Sequence, residues 1–216
     1  MLRDKIHVIH NWAPLEDIPV LPRSNRWARE HGLEDKLCLL YSGTLGMKHN
    51  PDLLLQLAVR LRERKNVLIV VVSEGIGAGF LNRKQQELRL ENLIVMGFQP
   101  FEILPSVLAS ADVLVAILEP DAGVFAVPSK ILTYMCAKRP LLLAVPSMNL
   151  AARIVGDNGA GIVVPPSNET AFINAAIKLI NDDKLRASLA SNGLRYAQKT
   201  FNIEKITDRF EEIIQR

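Results

Sequence analysis

The stretch Val67-Leu68-Ile69-Val70-Val71-Val72, followed at once by Ser73-Glu74-Gly75, decides the fold. Its apolar, β-favouring residues stand in an unbroken row. A strand with one wet face alternates in polarity, whereas a continuous run is covered on both faces. Helices supply that cover, so the run predicts a parallel sheet between helical layers. The turn residues then mark the carboxyl end of the strand.

The same pattern recurs on either side. Leu37-Cys38-Leu39-Leu40-Tyr41 is a second apolar run, ending at Ser42-Gly43. Asn50-Pro51-Asp52 reads as a helix start, and Leu54, Leu57, Ala58 and Leu61 keep helical spacing after it. Further strands are expected at Leu93 to Met96, Asp112 to Ile117, Pro140 to Val145 and Gly161 to Val164. Between them lie helical segments up to about Leu90, from Glu102 to Ala109, from Pro128 to about Ala137 and from Leu150 to Val155. Three more close the chain: Glu169 to Ile180, Lys184 to Lys199 and Ile203 to Gln215. The expected fold is α/β, a Rossmann-like doubly wound parallel sheet of about six strands with helices on both faces. The beginning fits less well. Lys5-Ile6-His7-Val8-Ile9-His10 is strand-like, and a loop rich in proline and charge runs from it to about Arg23.

Bulk properties exclude several classes. The 216 residues are 49% hydrophobic and 23% charged, as in an ordinary globular domain. A net charge of +3 without a basic run gives no footprint for nucleic acid. The longest apolar runs are too short to span a bilayer, and the first residues lack the apolar core of a signal peptide. Cys38 and Cys136 form no CxxC or Cys/His cluster, so they read as two reduced core thiols and no metal is expected.

In an open parallel sheet, ligands bind beyond the carboxyl ends of the strands. The loops there are Ser42 to His49, Ser73 to Gly79, Gly97 to Pro100, Glu119 to Val127, Pro146 to Asn149 and the turn at Pro165-Pro166. Lys48 and Lys130 each stand close to a helix start. A lysine there adds positive charge to an end that is already partly positive, unless an anion is bound. Lys130 therefore faces a phosphate or diphosphate, or else it is a solvated lysine with its stem over Tyr134. Ser73-Glu74-Gly75-Ile76-Gly77-Ala78-Gly79 resembles a dinucleotide fingerprint only in outline and reads equally as a tight turn that lets a helix approach the sheet. Glu119 and Asp121 are a candidate acid/base pair or plain loop acids. His49, beside Lys48, could touch a phosphate or a ribose. Ser73 and Ser129 lack the Gly-x-Ser-x-Gly elbow of a hydrolase.

Taken in order, the motifs resemble a known family. They are Asn11-Trp12, Tyr41-Ser42-Gly43-Thr44-Leu45-Gly46-Met47-Lys48, Ser73-Glu74-Gly75, Gly97-Phe98-Gln99-Pro100, Ala111-Asp112-Val113, Val127-Pro128-Ser129-Lys130, Ala137-Lys138-Arg139-Pro140 and Gly161-Ile162-Val163-Val164-Pro165-Pro166. This series is similar to the C-terminal half of retaining GT-B glycosyltransferases of family four, in the branch that builds bacterial polysaccharides. The resemblance implies a domain that binds a nucleotide-diphosphate sugar, with a UDP-sugar favoured and no cofactor or metal. It implies transfer with retention to a saccharide or a lipid-linked saccharide. It further implies a cytoplasmic enzyme, or one peripheral at the inner membrane face in its full-length form.

The same resemblance divides the chain into 1–23, the end of a missing N-terminal acceptor domain and a linker; 24–200, the donor-binding domain; and 201–216, a crossover helix. On that reading the chain is a fragment with little turnover of its own. Lys48 and Lys130 would neutralise the diphosphate, with Ser129 bonding it. Phe98 and Gln99 would receive the base through main-chain groups. Gly123, Val124 and Phe125 would lie beside the sugar, and Gly43, Thr44, Ser73 and Gly75 would line the donor cleft. Two departures stand out: the family's E-x7-E glutamates fall on Phe125 and Thr133, and its usual arginine falls on Thr44. The alternatives are a non-catalytic interaction domain of the same fold and a GT-B sugar-nucleotide epimerase.

Overall fold

The computed structural model describes residues 6–9, 11–119 and 129–215. Among them six strands form one parallel sheet: β1 (Leu37–Ser42), β2 (Val67–Val72), β3 (Leu93–Met96), β4 (Val113–Ile117), β5 (Leu141–Ala144) and β6 (Gly161–Val164). Their order across the sheet is β3-β2-β1-β4-β5-β6. The winding reverses between β1 and β4, which makes the crevice at their carboxyl ends the topological switch point. The β1–β4 ladder pairs only Leu39 with Val113 and Leu40 with Leu114, whereas β1 and β2 pair along their whole lengths. Past Leu40 the β1 end is thus unpaired on the β4 side.

Successive residues of each strand enter opposite cores, as the period of two requires. One core takes Cys38, Leu40, Val70, Leu114 and Leu143, packed with α1 (Arg26–Glu30), α4 (Leu104–Ala109), α5 (Lys130–Cys136) and α6 (Leu150–Asp157). The other takes Leu39, Tyr41, Ile69, Val115 and Leu142, with α2 (Asp52–Arg60), Leu81 of α3 (Ile76–Leu88) and α7 (Glu169–Asn181). This is the doubly wound architecture read from the uninterrupted strand runs. Two helices complete the described chain, α8 (Asp183–Thr200) and α9 (Ile203–Ile214).

Two local readings need correction. Residues 6–9 form no strand, and Ile6 and Val8 are 69% and 74% exposed. Among the described residues they pair with no strand of the sheet, whose edges are β3 and β6. Helix α1, just after the proline-rich loop, is an element for which the sequence reading named no segment. It is capped by Asn25, whose side chain accepts from the Ala28 N–H, and it buries Trp27 and Ala28.

The segment before α1 is anchored at the amino edge of the sheet. Arg23 bonds Asp112 at 2.9 Å and donates to the carbonyls of Leu33 and Lys36. Asp112 also accepts from the Cys38 N–H at 2.8 Å. Arg139 donates to the carbonyls of Ala109 and Leu21. No helix among the described residues is long and apolar enough to cross a membrane.

Candidate functional site at the carboxyl edge

At the end of β1 the chain turns sharply. Gly43 adopts φ +120°, a left-handed value that favours glycine, and donates its N–H to the Val72 carbonyl. Tyr134 of α5 reaches this turn from the opposite side. Its hydroxyl donates to the Ser42 carbonyl and accepts from the Ser42 N–H, both at 2.9 Å. Tyr41, on the other face of the sheet, donates its hydroxyl to the Thr44 carbonyl at 2.9 Å. Two buried tyrosines, one from each core, therefore hold residues 42–44. Burial moves both phenols above their ordinary pKa.

Lys130 opens α5 and passes over this turn. Its Nζ lies 3.8 Å from the centroid of the Tyr41 ring. A Cβ added at residue 43 would stand 2.9 Å from the same atom. Gly43 is thus the gap through which the lysine crosses from one layer toward a ring in the other. The ammonium is buried and has no hydrogen-bond partner among the described residues. Desolvation pulls its pKa down to about 8. The reading of Lys130 as a solvated lysine over Tyr134 is therefore overturned: the stem crosses Gly43 and the head lies over Tyr41.

The β2 and β3 ends form a second group. Leu45 donates its N–H to the Glu74 carbonyl, and Gly77 donates to the Leu45 carbonyl at 2.9 Å. A Cβ at residue 77 would meet that carbonyl at 2.6 Å, so the glycine serves a close approach of loops. This is the tight-turn reading, with Leu45 as the neighbour instead of the sheet. Ser73 is buried, with its hydroxyl turned onto the Glu74 carbonyl at 3.2 Å, and Gly75 holds φ +108°. The Glu74 carboxylate accepts from the Phe98 N–H at 3.4 Å and so joins this loop to Gly97–Gln99. Gln99 accepts from Trp27 Nε1 and donates to the Gly97 carbonyl, both at 3.2 Å. Its side chain is thereby engaged within the fold. Phe98 is 48% exposed.

The remaining expectations divide as follows. Thr44 and Ser129 are exposed, and Ser129 makes no capping bond. His49 Nδ1 accepts from the Gly46 N–H and braces its own turn. Lys48 lies by its backbone in the 3-10 turn Met47–His49; its side chain lies outside the described part of the structure. Asp121, Gly123, Val124, Phe125, Val127 and Pro128 also lie outside the described residues. Cys38 and Cys136 are free and buried; burial raises both thiols, Cys136 to about 12. No group of His, Cys, Asp and Glu suited to a metal occurs among the described residues. Sequence reasoning missed Tyr41, Tyr134, Glu74 and Trp27, which hold the site's loops. The tyrosines carried a signal, since phenols in apolar segments need buried partners for their hydroxyls.

The fold and this edge define a Rossmann-like, doubly wound α/β domain with a buried cation at its switch point. The model of the glycosyl transferases group 1 family matches residues 24–196, and the chain belongs to that family. It is 23% identical over 186 residues to an alpha-D-kanosaminyltransferase of Streptomyces kanamyceticus, covering 85% of this chain and 46% of the relative. It is 22% identical over 177 residues to the putative colanic acid biosynthesis glycosyl transferase WcaI of Escherichia coli (strain K12), covering 82% and 42%. The chain thus spans about half the length of the curated relatives it matches. The crystal structure of Anabaena Alr3699/HepE in complex with UDP and glucose superposes with a TM-score of 0.80 at 17% identity, over 97% of this chain and 56% of that one. These neighbours share the GT-B-type arrangement of the sheet.

Proposed function

We propose that this chain is the donor-binding half of a retaining glycosyltransferase that takes a sugar from a nucleotide diphosphate, with UDP-sugars favoured. The observation that carries the proposal is Lys130, a buried ammonium at the switch-point crevice with no hydrogen-bond partner among the described residues. An isolated buried cation is costly, and an anion in the crevice offsets that cost. A diphosphate supplies the anion, and the family supplies the class of reaction. The solved neighbour that holds UDP and glucose supports uridine as the base.

The chemistry follows from charge. When the bond from the anomeric carbon to the β-phosphate breaks, negative charge collects on the departing diphosphate. A cation fixed in advance, with no water to displace, stabilises that charge most where it develops. Lys130 is assigned this role, with Lys48 as its partner across the diphosphate. The Phe98 carbonyl and the main chain of Gln99 receive the base, the Phe98 N–H being held by Glu74 and the Gln99 side chain by Trp27. No metal is called on. The acceptor, a saccharide or a lipid-linked saccharide, is held by another domain, to which residues 1–23 and α9 lead.

Calorimetric titration with UDP, GDP and ADP tests the proposal. Saturable binding of UDP, weakened at least tenfold by Lys130→Ala, is expected. Equal affinity in wild type and variant would remove Lys130 from the site. The non-catalytic alternative draws on Phe125 and Thr133, which stand where the family has glutamates. Turnover of UDP-sugars by the full-length protein separates the two readings.

A further inference from the structure

The Lys130 amine is placed by a clamp at the end of β1. Ser42 carries both a free N–H and a free carbonyl where the β1–β4 ladder has ended. Tyr134, one turn along α5 from Lys130, satisfies both with a single hydroxyl at 2.9 Å. The helix that carries the cation is thus bolted to the strand end that it crosses. Tyr41 closes the other side: its hydroxyl fixes the Thr44 carbonyl, and its ring faces Nζ at 3.8 Å. Between the two lies Gly43, where an added Cβ would stand 2.9 Å from the ammonium.

We propose that Tyr134 and Tyr41 are positioning residues that set the Lys130 ammonium over Gly43 and keep it there unpartnered until a diphosphate arrives. The ring offers the cation a cation–π contact, which holds it without supplying a counter-charge. A carboxylate in its place would neutralise the lysine and compete with the donor. The ring holds the geometry without spending the charge. The Tyr134 hydroxyl keeps the Gly43 turn closed around the amine, which excludes the water that would otherwise solvate it. This rests on the donor-diphosphate reading above for its purpose, but the clamp itself is a property of the ligand-free protein.

The test therefore has a ligand-free arm and a ligand arm. In the first, the side-chain NMR signal of Lys130 is titrated with pH in wild type and Tyr134→Phe. Loss of the hydroxyl leaves Ser42 unpaired and opens the turn to water, so the Lys130 midpoint should move from about 8 toward that of an ordinary lysine. An unchanged midpoint in a folded variant overturns the clamp. In the second arm, affinities for UDP and for uridine, which lacks phosphates, are compared. Tyr134→Phe should weaken UDP about tenfold and leave uridine within twofold. The loss should also largely vanish in a Lys130→Ala background, since the two residues act as one unit. Equal losses for both ligands, or full additivity with Lys130→Ala, would make Tyr134 merely structural. If Tyr134→Phe fails to fold, Tyr41→Phe carries the same two arms, because it frees the Thr44 carbonyl and keeps the ring. Failure of wild type to bind UDP would sink the donor reading alone, and the ligand-free arm would still decide the clamp.

Discussion

The two ends of this sheet use buried positive charge in opposite ways. At the amino edge, Arg23, Arg139 and Arg186 are saturated. Arg23 holds Asp112 and the carbonyls of Leu33, Glu34 and Lys36, Arg139 holds those of Ala109 and Leu21, and Arg186 holds those of Leu179 and Ile180 together with Asp183. They border an open cleft of about 490 Å3 whose guanidinium groups are already engaged. At the carboxyl edge, Lys130 is buried with no hydrogen bond among the described residues. The difference teaches how to tell a staple from a site. A guanidinium with five donors suits the permanent binding of carbonyls, whereas a single ammonium left unpaired is poised for a ligand.

The contrast can be broken from either side. The largest effect on folding is expected at the amino edge. Asp112→Ala strands Arg23 and the Cys38 N–H and should lower stability by about 3 kcal/mol in urea denaturation, while the folded fraction binds UDP as before. A comparable loss of UDP affinity would show that the two edges are not independent. Lys130→Met should reverse the pattern. Nucleotide affinity should fall by about 2 kcal/mol, some thirtyfold, while stability at neutral pH stays within about 0.5 kcal/mol or rises. Destabilisation by several kcal/mol would make Lys130 a staple like the arginines.

Gly43→Ala is a finer probe. It forces a Cβ into φ +120° and to 2.9 Å from Nζ, so about 1–2 kcal/mol of stability should be lost together with UDP binding. Smallest is the effect of pH. A free-state pKa of about 8 leaves Lys130 charged below pH 8. A bound anion favours the charged form and raises that pKa. Affinity for UDP is then full below about pH 8 and declines several-fold by pH 9, and Lys130→Ala should flatten the profile. A wild-type profile without that decline would contradict the assignment.

The sheet was legible because residues 67–72 and 113–117 are uninterrupted apolar runs, a pattern that few other folds demand. The rule that ligands lie beyond the carboxyl ends of parallel strands pointed to the edge where Lys130 stands, but the strand order, and so the switch point between β1 and β4, came only with the structure. The five-residue α1 was not legible, since a helix that short shows no period and only its Asn25 cap gave a hint. The 6–9 segment misled because alternation signals a strand only where a partner exists. The ring beneath Lys130 was misassigned to Tyr134, its neighbour four residues on. Tyr41 lies far away in sequence and meets Lys130 only because the β1 end and α5 converge. The Arg23–Asp112 pair spans 89 residues for the same reason. Pairings of that kind belong to tertiary packing and leave no local trace.

The central claim is that Lys130 is the proton-carrying partner of a bound diphosphate. It is tested most directly by calorimetry of UDP binding at pH 8.5 in buffers of different ionisation enthalpy, for wild type and Lys130→Ala. The account predicts that wild type takes up a substantial fraction of a proton on binding and that the variant takes up none. Binding without proton uptake, or with the same uptake in both proteins, would contradict it.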